Sequence, residues 1–146
     1  MSDEVRVRFD LEVDEEGFPP ISAEFLIGKL KSENTAVLDN TPFFVLGVAL
    51  GDTVRCTGSP PDMKFEALVE ESGYKAISVI FVDNSYDDEL YQLLKAAGCY
   101  VEYGEFPEYN MIAAAIPPKA NYDGVRDLLE AAENDGKISF AELCVQ

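Results

Sequence analysis

Carboxylates are the residues best supplied for chemistry in this chain, with 28 Asp and Glu among 146 residues. Histidine is absent, which removes the usual proton shuttle, triad base and nitrogen metal ligand. The three cysteines, Cys56, Cys99 and Cys144, lie far apart in strand-like apolar stretches with no C-x-x-C pair. Each reads as a small buried thiol, not as part of a disulfide framework or a zinc site. Asp87-Asp88-Glu89 suits the positive end of a helix dipole. Asp14-Glu15-Glu16 could meet a hard cation, but it lacks the alternating ligands of a calcium loop and reads as a solvated turn. Gly47 and Gly51 form no phosphate cradle, because Asp52 follows where such a loop wants Lys. No catalytic, cofactor-binding or metal residue is predicted, and the chain reads as a non-enzyme.

The segment Tyr100 to Asn110 reads differently, because tyrosines alternate with acids there. Tyrosine offers a large contact area with few rotors. Glu102, Tyr103, Glu105, Phe106, Glu108 and Tyr109 are therefore candidate partner-binding residues, with the acids steering a basic partner. An ordinary hairpin with its aromatics packed on the sheet is the plainer reading of the same residues.

Charge points the same way. The chain carries 11 Lys and Arg against its acids, for a net charge of −17. The excess is spread: 15 acids face 6 bases up to Gly73, and 13 face 5 beyond it. Such a field repels nucleic acid and anionic membrane and attracts basic partners, although simple solubility also explains it. The N-terminus has no basic segment or apolar signal core, and Phe43 to Leu50 is too short to span a membrane. A cytoplasmic location is expected.

These residues must be positioned by two unlike halves. Val5, Val7, Phe9, Leu11 and Val13 alternate with charged residues, as in a half-buried strand. Further strands are expected at Ser22 to Leu30, Thr35 to Leu38, Thr53 to Thr57 and Met63 to Val69, divided by Pro- and Gly-rich turns. Residues 1–73 therefore read as a small antiparallel β-rich subdomain, a twisted sheet or partial barrel. From Tyr74 the pattern changes. Ala76 to Val82 reads as a strand buried on both faces. A helix follows, capped by Ser85 and carrying Leu90, Leu93, Leu94 and Ala97 up to Gly98. Strands Cys99 to Glu105 and Met111 to Ile116 precede a helix capped by Asn121 with Val125, Leu128, Leu129 and Ala132 on one face. Ile138 to Val145 closes as a strand. Residues 74–146 thus read as a ferredoxin-like βαββαβ subdomain, and the class as α+β.

The first half also resembles the bacterial family called domain of unknown function 4265. The residues that carry the likeness are Gly17-Phe18-Pro19-Pro20 with Glu24, then Asn40, Pro42-Phe43-Phe44, Ala49, Gly51-Asp52 and Val54, and finally Ser72-Gly73. Tyr74 stands where the family often has His or another polar residue, which argues against a shared catalytic site there. The resemblance implies a small stand-alone protein akin to bacterial immunity proteins. With the charge, it leads to an expected binding protein that inhibits a basic partner, a toxin of the nuclease type, by steric and electrostatic blockade. The alternative is a ferredoxin-like small-molecule-sensing regulatory domain acting as a dimer. Binding that weakens steeply with salt would mark the first, and salt-insensitive binding the second. The oligomeric state is open.

Overall fold

The computed structural model describes residues 3–146. The first five strands are β1 (Glu4–Asp10), β2 (Ala23–Ser32), β3 (Thr35–Leu38), β4 (Thr53–Ser59) and β5 (Asp62–Glu70). The expected alternation holds in β1, where Val5, Val7 and Phe9 turn inward and Arg6, Arg8 and Asp10 outward. Leu26, Leu38, Val54, Cys56 and Met63 meet them from the other strands.

These strands close on themselves. β5 returns to lie parallel to β1, with Val7 opposite Met63, so the sheet has no free edge. The expected twisted sheet or partial barrel is thereby corrected to a closed five-stranded barrel. Hydrophobic alternation fixes which face of a strand is buried, but it carries no signal for which distant strand will be the last neighbour.

The remaining elements are β6 (Lys75–Phe81), α1 (Asp87–Ala96), β7 (Tyr100–Phe106), β8 (Tyr109–Ile116), α2 (Tyr122–Asn134) and β9 (Ile138–Cys144). Their strands form an antiparallel sheet in the order β7-β8-β6-β9. Leu90 and Leu94 of α1, with Val125, Leu129 and Ala132 of α2, pack on Ile77, Val79, Ile112, Ala114 and Ile138. Asn121 caps α2 by accepting from the Gly124 N–H at 3.1 Å. Ser85 does not cap α1; it lies in a short 3-10 turn and donates to Asp83 instead.

The fold class differs from expectation. The chain is mostly β, 46% strand against 18% helix, and pairs a closed barrel with a second sheet carrying only two helices. The α+β description with a ferredoxin-like βαββαβ half is therefore set aside. The physical reason lies on the sheet face away from the helices. Its Met111, Ala113 and Ala115 are fully buried, because the β3–β4 connection packs across that face. Ala49 joins Ala76, Leu143 and Cys144 in a small shared core. Small alanines let that connection approach closely, so this sheet folds as the partner of a barrel.

Candidate functional site

The β3–β4 connection is fixed by two buried carboxylates. Glu24, 7% exposed at the start of β2, accepts from the Phe43 N–H at 2.7 Å and from the Phe44 and Val45 N–H groups at 3.0 Å. Asp52 is fully buried. Its oxygens accept from the Ala49 and Ser72 N–H groups, both at 2.9 Å, and from Gln146 Nε2. Asn40 Oδ1 accepts from the Ile27 N–H, and Ser72 Oγ donates to the Leu50 carbonyl. A buried carboxylate costs free energy unless its oxygens are hydrogen-bonded. Here backbone donors do that work, and the connection is held rigid as a result.

What it presents is a row of apolar side chains. Phe44 lies edge-on to Phe18 at 5.8 Å between ring centres and to Phe106 at 4.9 Å. Phe43 meets Phe106 at 5.4 Å, and Phe18 meets Tyr109 at 5.7 Å. Gly104 makes room for this seam, since a Cβ there would stand 2.7 Å from the Phe43 ring. Phe18 is placed by the β1–β2 turn, where Asp14 Oδ1 accepts from the Glu16 and Phe18 N–H groups and Gly17 takes φ 83°. Left-handed backbone of that kind suits glycine.

Beside this seam a cleft of about 940 Å³ opens between barrel and sheet. Phe9, Leu11 and Phe65 form its barrel wall, Phe44, Val45 and Leu46 its loop wall, and Ile80, Phe140 and Leu143 its sheet wall. Leu46 is 74% exposed at the mouth. Ser78 and Ser139 are the polar groups on the sheet side, and Asp10, Glu12, Asp14 and Lys64 those on the barrel side. Asp10 is already paired, with Lys64 Nζ at 3.1 Å and an Arg8 nitrogen at 2.8 Å. The Lys64 hydrogen bond, and then Arg8, hold its carboxyl below the usual range. Among the described residues neither Glu12 nor Asp14 forms an ion pair.

The residues singled out on the β7–β8 hairpin do not share one face. Phe106 and Tyr109 turn into the aromatic seam. Tyr103 stacks on Tyr91 of α1 at 4.8 Å, on the helix side of the sheet. Partial burial, then Asp87 and Asp88, push its hydroxyl pKa upward. Glu102, Glu105 and Glu108 are exposed. By strand alternation Glu102 lies on the Phe106 side and Glu105 on the Tyr103 side. The cleft itself escaped the sequence reading. Its named walls come from five separate segments, none of which points to the others.

Other chemistry finds little footing. All three cysteines are free and buried. Burial pushes the Cys99 thiol up to about 11 and raises those of Cys56 and Cys144 as well. Thiols so shifted are poor nucleophiles. Among the described residues no group of three or more His, Cys, Asp or Glu could hold a metal ion, and no helix is long and apolar enough to cross a membrane.

Fold and site together define a barrel-and-sheet protein with an apolar cleft between its two parts. The chain belongs to the family described as Domain of unknown function (DUF4265), whose model matches residues 24–140. The matched stretch includes Glu24, Asn40, Asp52 and Ser72, the residues that brace the cleft wall. The chain is similar in fold to the crystal structure of a hypothetical protein from Neisseria gonorrhoeae. That likeness has a TM-score of 0.76 and 21% identity, covering 99% of this chain and 96% of the other. No curated protein matches the sequence. These findings name a family of unknown function and a hypothetical protein, and they lend no support to a toxin-inhibitor, antitoxin or immunity role. That part of the expectation is withdrawn.

Proposed function

We propose that this chain is a cytoplasmic binding protein, not an enzyme, and that it holds an apolar part of its partner in the cleft between barrel and sheet. The cleft carries this reading. It lies at the upper end of the usual size of ligand cavities, about 300–1,000 Å³, and has the usual make-up, apolar walls with few polar groups. Three free thiols suit a reducing compartment. The raised thiol pKa values and the absence of histidine support a role without nucleophilic or acid–base catalysis. The exposed acids of the β7–β8 hairpin add to the field that steers a partner without forming the contact.

The test uses N-phenyl-1-naphthylamine, a neutral apolar dye that brightens out of water. Saturable brightening by the native protein, lost in Leu46→Glu, is the expected result. Leu46 is exposed enough for this change to leave the fold intact, which circular dichroism verifies. A dye signal that is absent, or unchanged in Leu46→Glu, would refute the assignment.

A further inference from the structure

We infer that the occupant of this cleft is a segment of a basic protein, with bulky apolar side chains flanked by Lys or Arg; this rests on the cleft being the binding site. The charge at the mouth selects the occupant. Asp10 is held between Lys64 and Arg8, and the one positive charge these three leave is outweighed by the two carboxylates of Glu12 and Asp14. Glu12 and the second carboxylate oxygen of Asp14, which pair with no cation among the described residues, remain for an incoming one. The surrounding field has the same sign, at −17 for the chain, so a fatty acid or other anionic amphiphile approaches against repulsion. A second copy of this chain meets the same repulsion, because it brings another −17.

The manner of contact follows from the neighbouring strand. β9 has an outer edge beside the cleft, but its Phe140 N–H already donates to Glu133 and its Leu143 carbonyl accepts from Gly47. Strand addition along that edge is therefore blocked at both ends. The segment is held by its side chains, apolar ones on Leu11, Phe44 and Leu46 and cationic ones on Glu12 and Asp14. Exposed ion pairs each add little to affinity. The apolar contact thus sets most of the affinity, and the charges set the choice of partner and the rate of encounter.

The experiment displaces the bound dye with three short peptides: phenylalanines between lysines, the same phenylalanines between glutamates, and alanines between lysines. The first is expected to displace at about a tenfold lower concentration than either other peptide, a difference of about 1.4 kcal/mol. Raising salt from about 0.05 to 0.5 M should weaken the peptide and spare the neutral dye. Glu12→Lys should weaken the lysine peptide several-fold more than it changes the dye, because only the peptide brings a cation to that carboxylate. Equal displacement by the acidic and basic phenylalanine peptides, or indifference to Glu12→Lys, would overturn the inference and leave the cleft standing as an apolar site. Lysine-peptide binding that survives the uncharged change Leu46→Asn would place the contact elsewhere and overturn it too. Failure of the dye itself to bind would remove the underlying reading.

Discussion

The cleft and the β7–β8 hairpin are a few residues apart in space and opposite in construction. The cleft wall is apolar and is pinned from behind by Glu24 and Asp52, whose oxygens collect backbone donors. The hairpin shows its acids to water, and its two best aromatic anchors, Phe106 and Tyr109, face inward. Sequence composition makes the hairpin look like the binding surface, because interleaved Tyr and Glu are what an interface uses. The structure divides these residues between two faces. The hairpin spends Phe106 and Tyr109 on joining barrel to sheet and leaves Tyr103 half exposed beside α1, while Leu46 stands exposed across the seam.

Removing the pins should give the largest effect. Asp52→Ala leaves the buried Ala49 N–H and the half-buried Ser72 N–H without an acceptor, and Glu24→Ala does the same for Phe43, Phe44 and Val45. Each should cost about 3 kcal/mol, read as a lower urea midpoint. Comparable changes at Glu102, Glu105 or Glu108 to Gln should stay within about 0.5 kcal/mol. If the hairpin acids matched the pins in cost, the contrast would fail.

Gly104→Ala comes next. The new Cβ meets the Phe43 ring, which must shift to admit it, and overpacking of this kind costs about 1–3 kcal/mol. Because the seam borders the cleft, dye affinity should change as well, whereas Glu105→Gln should leave it alone. A Gly104→Ala protein of native stability and native dye affinity would show that the seam does not position the cleft.

A pH series sharpens the comparison from the sheet side. Cys99 keeps its proton to about 11 in the folded protein, against an ordinary value of 9.0. The folded state therefore prefers the neutral thiol. This stability is fully present below pH 9 and is lost as pH rises toward 11. Two units correspond to about 2–3 kcal/mol. Urea midpoints measured from pH 8 to 11 should fall in the native protein and fall less steeply in Cys99→Ala.

The smallest effect is expected at Thr41, whose buried hydroxyl has no hydrogen-bond partner among the described residues. Thr41→Val replaces it with a group of similar shape and should be neutral or slightly stabilising by thermal melt.

Much of this fold is legible in the chain because its signals are local. Val5, Val7 and Phe9 announce β1 by alternation, and Asn121 announces α2 by its cap. The two-faced burial of β6 and β8 shows as near-continuous apolar runs. Barrel closure is not local. The pairing of Met63 with Val7 joins segments far apart in sequence, and nothing in either segment names the other. Glu24 and Asp52 stand out as part of a family pattern, but their role as loop braces depends on backbone donors from distant turns. The cleft is hardest of all, since no single stretch of sequence contains more than one of its walls.

Amide chemical-shift mapping with the lysine-flanked phenylalanine peptide tests the central claim most directly. Shifts centred on Leu11, Val45, Leu46, Phe65 and Phe140, with Glu102 and Glu105 unmoved, are predicted. Shifts confined to Tyr100 through Glu108, with the cleft walls silent, would contradict it and return the binding surface to the hairpin.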